Sequence, residues 1–348
     1  MIRQLLSDDS PPAYAGLDAA LRRGDFVQAQ AEMAGLSGGR ETAPDGHLAL
    51  RLAVLAYFRH SWEEAEAHLE VVTADDTERT AVGWLLRALI AVEQKRKDKA
   101  EAALVAAEHH YEGYPRGLLY CRLVRATLQL YLGQYKAMAA QLQRVGEHLR
   151  GNGDGWARYE YRRLHGLLAH QQDDYATALR HLTAARRGFR YLGDAYELAR
   201  CDKALANTYR RLGEPQAALR HAQQALDYFR GQGLEVAAAR CYNTLGSIQL
   251  EFDRQDEALA SFGAAADGLS RAGLELELAG TLHNIGLLYR FQGQFRPALR
   301  TLAQARSLAA RLGVPDMEAA IAEQEVQVLR HLGRYDEAKR IYQAALVR

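Results

Sequence analysis

The sequence is poor in proline and cysteine, with 7 prolines and 3 cysteines in 348 residues. It has no apolar run near the roughly 20 residues that a membrane-spanning helix needs. The opening MIRQLLSDDSPPAY holds one basic residue and no apolar core of signal-peptide length. These absences argue against a disulfide framework, a membrane span and secretion, so we expect a cytoplasmic protein.

The chain also lacks net charge, because 44 Lys and Arg residues are balanced by 43 Asp and Glu residues. No global field attracts it to nucleic acid or to an anionic membrane, and charge-driven binding would need a local patch. With 48% hydrophobic and 25% charged residues, the composition is that of an ordinary soluble protein. Abundant Ala, Leu, Arg and Gln favour helix over disorder or an all-β fold.

A period of 40 residues runs through most of the sequence. Two series of turn-forming residues follow it, and they are Gly113, Gly153, Gly193, Gly233, Gly273 and Gly313, and then Gly133, Asp173, Gly213, Asp253, Gly293 and Gly333. Glycine and aspartate favour turns and helix caps, so each unit is interrupted twice.

Between these turns the apolar residues have helical spacing. Small residues recur at Ala178, Ala218, Ala258, Ala298 and Ala338, then at Ala185, Ala225, Ala265, Ala305 and Ala345, with Leu182, Ala222, Phe262, Leu302 and Tyr342 between them. Spacings of three, four and seven place these residues on one helical face. Each unit is therefore predicted to be a helical hairpin with one buried seam.

The other helix of each unit carries a matching pattern, in YNTLGSIQLEFDRQDEAL (242–259) and LHNIGLLYRFQGQFRPAL (282–299). These residues resemble the tetratricopeptide repeat, and the longer unit found here resembles the arrays of bacterial peptide-sensing regulators. The same signature recurs in GDFVQA (24–29), HSWEEA (60–65) and KRKDKA (95–100). The resemblance implies an all-α solenoid of about nine hairpins in a right-handed superhelix, with each hairpin packing only on its neighbours.

This organisation predicts one continuous solenoid. We expect a short N-terminal segment at 1–12, irregular repeats over 13–112 and regular 40-residue repeats over 113–348. The regulators that the chain resembles often carry an N-terminal output domain. The first helix pair, at 13–33, already has the pattern of a repeat, which argues against direct transcriptional control.

Catalytic and metal-binding patterns are not evident. His181 and His221 are equivalent in neighbouring repeats, as are Cys201 and Cys241, so the repeat separates them instead of bringing them to one ion. No CxxC or HExxH occurs, and GNGDGW (151–156) lacks the Lys-Ser/Thr ending of a phosphate loop. We therefore expect no enzyme, no metal and no cofactor.

The first helix of each hairpin lines the concave face in the family that the chain resembles. The positions of this helix that face away from the second helix are candidates for ligand binding. They are Arg163, Arg200, Lys203, Asn207, Arg210, Arg240, Asn243, Ser247, His283, Asn284 and Arg290, with Glu323, Gln327 and Arg330 in the last repeat. Asn amides would bind the backbone of an extended peptide or protein segment, and Arg guanidiniums its carboxylates. The alternative is a solvated face on which Arg pairs with Glu one turn away.

Other functions stay open. Single-stranded nucleic acid could bind the basic stripe, but stacking aromatics are scarce there, which favours peptide. A regulatory subunit of a separately encoded enzyme would have the same sequence features. The last helix would expose Ile341, Tyr342, Ala345 and Leu346, which predicts a homodimer through the C-terminal repeats, unless Arg340 and Arg348 make that helix polar enough alone.

Overall fold

The fold is known from a computed structural model, which describes residues 11–37, 45–72, 77–150 and 154–346. Most of the predicted segment 1–12 and residues 151–153 of the predicted loop lie outside this part of the chain. The described residues form helices and no strand. Within the same ranges, no helix has the length and apolar character that a bilayer crossing requires.

Eighteen α-helices make up the described residues, after a short 3₁₀ turn at Pro12–Tyr14. In chain order they are α1 (Ala15–Arg23), α2 (Phe26–Ser37), α3 (Gly46–Phe58), α4 (Trp62–Glu70), α5 (Thr77–Glu93), α6 (Lys97–His110), α7 (Pro115–Tyr131), α8 (Tyr135–Leu149), α9 (Gly155–Gln171), α10 (Tyr175–Tyr191), α11 (Ala195–Arg211), α12 (Pro215–Gly231), α13 (Glu235–Glu251), α14 (Gln255–Arg271), α15 (Glu275–Phe291), α16 (Phe295–Arg311), α17 (Pro315–His331) and α18 (Tyr335–Leu346). Odd-numbered helices are the first helices of the hairpins. The predicted all-α repeat fold is confirmed, and its handedness stays a prediction.

Left-handed backbone at the predicted turn positions ends these helices. Every member of the second turn series has positive φ, including Asp173 at 58° and Asp253 at 57°. In the first series Gly153 lies outside the described residues, and the other glycines have positive φ. His60 and Lys95, at 62° and 57°, mark the same turn in the less regular hairpins. A left-handed residue breaks the helix and lets its last carbonyls find partners in the turn.

Close approach of the two helices defines each hairpin. A Cβ atom on Gly166, Gly246 or Gly286 would lie 2.6 to 2.7 Å from the side chain of the next helix, which is Leu182, Phe262 and Leu302 respectively. These three partners and the flanking alanines of the predicted seam are fully buried. Glycine on one helix thus makes room for a large side chain on the other, and the predicted seam is confirmed in these three hairpins. In the last hairpin Tyr342 is exposed, so the predicted seam does not extend to it.

An aromatic-to-aspartate hydrogen bond joins successive first helices in three places. The Tyr14 hydroxyl donates to Asp45 at 3.1 Å, and the Tyr120 hydroxyl donates to Asp154 at 3.0 Å. The Trp156 indole donates to Asp194 at 3.0 Å. Each of these aspartates also caps its own helix, as Asp154 does by accepting from the Ala157 amide at 2.9 Å. One carboxylate therefore starts a helix and sets its distance from the previous one.

The chain divides into two compact units. Unit 1 comprises Met1–Gly213 with Asp227–Leu234, and unit 2 comprises Glu214–Leu226 with Glu235–Arg348. Unit 1 holds the irregular hairpins and the first regular ones, and unit 2 holds the later 40-residue repeats. The predicted boundaries at 12 and 112 stay predictions.

Unit 1 contains a long-range contact that the repeat pattern does not predict. The backbone amides of Phe26 and Val27 donate to the Gln232 side chain at 2.7 and 3.2 Å, and the Tyr228 hydroxyl donates to the Gly24 carbonyl. Tyr196 is 5.8 Å from Phe26 between ring centroids. The expectation that each hairpin packs only on its neighbours is therefore wrong in unit 1, because the turn of the first hairpin is held by the sixth.

This contact, which we call the hairpin clasp (Gly24, Phe26, Phe58, Tyr196, Tyr228, Phe229 and Gln232), also caps α2. The Asp25 side chain accepts a hydrogen bond from the Gln28 amide at 3.0 Å, and the Gln232 side chain accepts from the amides of Phe26 and Val27. Three amides of the first turn of α2 therefore have partners. Gly24 is required here, since its φ is 75° and a Cβ atom would meet the Tyr196 backbone at 2.9 Å. The clasp thus depends on one glycine and one glutamine that lie far apart in sequence.

We predict that Tyr228→Phe combined with Gln232→Ala releases the first hairpin without unfolding the repeats. The variant loses three hydrogen bonds that contribute about 1 kcal/mol each, so amide exchange in α1 and α2 should rise by a factor on the order of a hundred. Hydrogen exchange with mass spectrometry measures it. The exposed Gln216→Ala on the same helix is the control and should change nothing. Unchanged protection of α1 and α2 in the double variant would contradict the clasp.

Candidate functional site

The predicted ligand-binding residues occupy two rows of first helices, one in each unit. Arg163, Arg200, Lys203, Asn207 and Arg210 lie on α9 and α11 of unit 1, and Arg240, Asn243, Ser247, His283, Asn284 and Arg290 lie on α13 and α15 of unit 2. Positions 163, 203, 243 and 283 share one register position. These residues therefore lie on first helices, and their role in ligand binding stays a prediction.

In unit 1 the two leading arginines are held in ion pairs. Arg163 is 4% exposed and donates to both oxygens of Glu160 at 2.6 and 2.7 Å. Arg200 donates to Glu197 at 2.8 Å. Burial opposes their charge, but Glu197 and Glu160 together raise the pKa of Arg200 well above its ordinary value. Both guanidiniums therefore stay charged and hold carboxylates of their own helices.

The other unit 1 candidates are half-buried. Lys203 and Arg210 both make polar interactions within the protein. Asn207 makes no side-chain hydrogen bond to any described residue, so its amide keeps both donor and acceptor capacity. Asn207 is thus the unit 1 candidate with the most capacity for a ligand.

In unit 2 the row contains buried polar atoms that lack hydrogen-bond partners. They are Asn243 Oδ1, His283 Nε2 and Arg290 Nε. Leaving such an atom unpaired costs about 1 to 3 kcal/mol. Burial lowers the pKa of His283, so its ring is neutral near pH 7 and offers one donor and one acceptor. A ligand that supplies the missing partners would be stabilised here.

The remaining unit 2 candidates support the row. Arg240 donates to both oxygens of Glu277 at 2.7 and 2.9 Å, which joins α13 to α15. The Ser247 hydroxyl donates to the Asn243 carbonyl at 2.9 Å. Asn284 is half-buried and has no side-chain hydrogen bond to a described residue. Arg240 thus fixes the spacing of the two helices that present Asn243, His283 and Asn284.

A groove of about 670 Å³ lies between α17 and α18 in unit 2. Its lining includes the predicted Glu323, Gln327 and Arg330 together with Ala319, Ala322, Val326, Tyr335, Ala338, Lys339 and Tyr342. Tyr342 is 56% exposed, whereas its equivalents Phe262 and Leu302 are buried. The side chains of Ala345 and Leu346 lie outside the described residues, so the homodimer stays a prediction.

An aromatic and acidic cluster in unit 1 was not predicted from the sequence. Tyr131 ends α7 and its hydroxyl lies 3.5 Å from a Glu93 oxygen at the end of α5. Burial and then Glu93 raise the pKa of Tyr57 well above its ordinary value, with Tyr196 and Tyr131 also acting on it. The sequence did contain a signal, because Glu93 and Tyr131 are both the last residue of a first helix.

The comparison with known families agrees with this geometry. Residues 160–231 match the family model of the tetratricopeptide repeat. This match supports the predicted resemblance to the tetratricopeptide repeat over that part of the chain. No curated protein matches it in sequence.

Several solved structures share the tetratricopeptide fold of this chain. A Rap protein complexed with Competence and Sporulation Factor is 18% identical with a TM-score of 0.62, covering 77% of this chain and 76% of that one. NprR in complex with its cognate peptide NprX is 18% identical with a TM-score of 0.57, covering 78% and 79%. PH0952 from Pyrococcus horikoshii, a STAND protein with a tetratricopeptide repeat sensor, is 15% identical with a TM-score of 0.62, covering 99% and 51%. At these identities the likeness is one of fold.

Cysteine and histidine side chains are built into the repeats. Cys121, Cys201 and Cys241 are free and buried, and burial raises the pKa of Cys121 to about 12. Among the described residues, no group of three or more His, Cys, Asp or Glu side chains could hold a metal ion. Buried thiols of this kind act as small apolar core residues.

One histidine pair stands out in the hairpin of α9 and α10. The rings of His165 and His181 stack 5.4 Å apart at an interplanar angle of 21°. His165 Nε2 and His181 Nδ1 are buried without a hydrogen-bond partner. Burial lowers the pKa of both histidines. The pKa of His165 is lowered further by His181, and the pKa of His181 is lowered further by Arg180 and Arg162. Tyr161 packs on His165 from its own helix.

We predict that this pair makes folding stability fall with acidification. The folded-state pKa values lie below the ordinary value of 6.5, so the unfolded chain binds protons first. Stability is complete above about pH 7 and declines as pH falls through 6.5 toward the lower folded pKa. The double variant His165→Gln/His181→Gln should lose less stability on acidification, measured as the free energy of urea unfolding against pH. The exposed His109→Gln should retain the parent profile, and a double variant as sensitive as the parent would refute the assignment.

Proposed function

We propose that this tetratricopeptide-repeat protein is a non-enzymatic regulator or scaffold that binds a peptide or protein segment along its first helices. The observation that carries the proposal is the row in unit 2, where Asn243, His283 and Arg290 hold buried polar atoms without partners. An extended peptide supplies one N–H donor and one C=O acceptor per residue, and these could satisfy such atoms.

The chemistry of the row supports a peptide backbone as ligand. Asn243 and Asn284 each offer an amide that both donates and accepts, so either can pair with a backbone unit in the manner of a β-bridge. The neutral His283 adds a donor and an acceptor. Arg290 can pair with a ligand carboxylate. Unit 1 has residues of the same kind in Asn207, Lys203 and Arg210, and we propose that they also bind a peptide segment.

The paired arginines take a different role in this proposal. Arg163, Arg200 and Arg240 already bind Glu160, Glu197 and Glu277, and breaking such a pair would leave a partly buried charge uncompensated. We assign to them the positioning of the first helices. A ligand would then contact Arg200 and Arg240 through their exposed edges, while Arg163 supports the helix from within.

Comparisons with solved structures add support of a limited kind. NprR was solved with its cognate peptide and a Rap protein with Competence and Sporulation Factor, and both share the fold. In our proposal the ligand shifts the population of repeat-array conformations and so changes a second interaction surface. Such a switch needs a ligand that binds the two conformations with different affinity.

Recovery of the ligand tests the class of molecule. The full chain would be purified from its native lysate, and bound peptides and nucleic acids would be released and identified by mass spectrometry. A recovered peptide, synthesised and titrated by calorimetry, should bind the purified protein with one site. Recovery of nucleic acid, with an affinity that falls steeply with salt, would replace the proposal by the single-stranded nucleic-acid alternative.

We predict that Asn207→Ala/Asn243→Ala/Asn284→Ala abolishes peptide binding while helicity and melting temperature stay nearly unchanged. Each lost amide pair removes about 1 kcal/mol, so affinity should fall at least tenfold. A matched control replaces the exposed Gln216, Gln304 and Gln343 on second helices by Ala and should retain full affinity. Unchanged affinity of the Asn variant would mean that the ligand binds elsewhere.

A further inference from the structure

A second cavity, in unit 1, has chemistry of its own. It measures about 670 Å³ and is lined by Arg22, Arg23, Pro115, Arg116, Leu119, His148, Asp154, Gly155, Trp156 and Leu192. The lining comes from the C-terminal end of α1, the start of α7, the end of α8, the start of α9 and the turn before α11. A volume between about 300 and 1,000 Å³ is typical of small-molecule sites. We call it the arginine cavity.

Positive charge prevails in the arginine cavity. Among the described lining residues, three arginines and His148 surround one carboxylate, that of Asp154. The arginines and the aspartate of this lining carry three positive charges and one negative charge. The whole chain is nearly neutral, so this is a local concentration of charge and not a reflection of composition.

The one carboxylate is already engaged. Asp154 Oδ1 accepts from the Ala157 amide at 2.9 Å, and its Oδ2 accepts from the Tyr120 hydroxyl at 3.0 Å and from Arg116 Nε at 3.2 Å. Arg22 and Arg23 are exposed and form no ion pair with a described carboxylate. Their two charges thus have no described carboxylate partner, and a bound anion would pair with them and with Arg116.

The backbone adds to the attraction. Helix α7 begins with Pro115 and has no side-chain cap. The backbone amides of its first turn therefore point out of the N-terminal end of the helix without a partner inside it. The positive end of a 17-residue helix therefore contributes to the same cavity. Arginine guanidiniums and helix amides are both suited to the oxygen atoms of a phosphate.

The rest of the lining is apolar. Pro115 and Leu192 are exposed, and the buried side chains of Leu119 and Trp156 lie beside them. A purely ionic ligand would leave the surface of Pro115 and Leu192 wet, whereas a ligand with an apolar or planar group would cover it. The Trp156 indole N–H is bound to Asp194, so this ring leaves no donor to satisfy.

We propose that the arginine cavity binds a small phosphate monoester that carries an apolar or planar group. A phosphate monoester has a charge near −2 at neutral pH, which matches the net charge of the lining better than a single carboxylate does. The phosphate lies among Arg22, Arg23 and Arg116, and the organic group lies on Pro115 and Leu192. This site is separate from the peptide row of the proposed function and does not depend on it.

Phenyl phosphate is the probe for the test, titrated into the full chain by calorimetry. Three related compounds serve as controls. Inorganic phosphate lacks the ring, phenol lacks the charge, and benzoate carries a carboxylate in place of the phosphate. We expect phenyl phosphate to bind with an affinity at least tenfold higher than that of each relative. Equal binding of benzoate would overturn the assignment of phosphate, and equal binding of phenol would overturn the role of the arginines.

The variant Arg22→Gln/Arg23→Gln should lower the affinity for phenyl phosphate at least tenfold. Arg144→Gln/Arg187→Gln removes the same charge from exposed positions on second helices of unit 1 and should change the affinity less than twofold. Equal effects of the two double variants would show a general charge effect and overturn the site.

A measurement on the unaltered protein covers the case in which a variant fails to fold. Phenyl phosphate bridges the end of α1 to the start of α7, so it should slow amide hydrogen exchange in both helices. Exchange in α14 and α16 of unit 2 should stay the same. No protection in α1 and α7 at saturating phenyl phosphate would overturn the proposal.

Discussion

The close approach of two helices at a glycine is the constraint on which this structure depends. At Gly166, Gly246 and Gly286 the facing side chain lies so near that a Cβ atom could not be accommodated. The neighbouring small residues allow the same separation along the seam, and left-handed turns at fixed intervals return the chain for the next pass. Three of the later hairpins have this glycine, and Ala206 and Val326 take the equivalent position in two others. The shared 40-residue pattern gives residues 40 apart in sequence similar environments. A binding row along the first helices is a direct result.

This regularity explains how much could be predicted from sequence. Ala258 and Phe262 have buried equivalents in the neighbouring repeats, so their pattern was enough to predict the seam. The first-helix positions could be assigned by register for the same reason. Register does not report whether a side chain is paired. Arg163 fulfils the alternative of pairing with a Glu one turn away, and the partner of Arg240 is Glu277, 37 residues later in the next repeat.

The hairpin clasp shows where prediction from repeats fails in principle. Gln232 and Phe26 are 206 residues apart, and no periodic pattern relates them. A stack in which each hairpin packs only on its neighbours does not include such a contact. The contact arises only when the fold of unit 1 brings the first turn near the residues around Gln232. The shorter helices α1 to α4 and the rings of Phe26 and Phe58 are visible in sequence. The contact that these residues make with Tyr196 and Gln232 is not visible there.

Arginine has two roles in this chain, and the difference between them is what directs attention to particular sites. Arg163, Arg186 and Arg306 each hold a carboxylate at 2.6 to 2.7 Å, so their charges are used within the fold. Arg22 and Arg23 sit beside a cavity whose only carboxylate is already bound to three other groups. A buried atom without a hydrogen bond costs stability, and a ligand in the row of Asn243 and His283 would remove that cost. The exposed Arg22 and Arg23 have no described carboxylate partner, so their charge stays available to an anion in the arginine cavity. For these two different reasons we expect binding at both places.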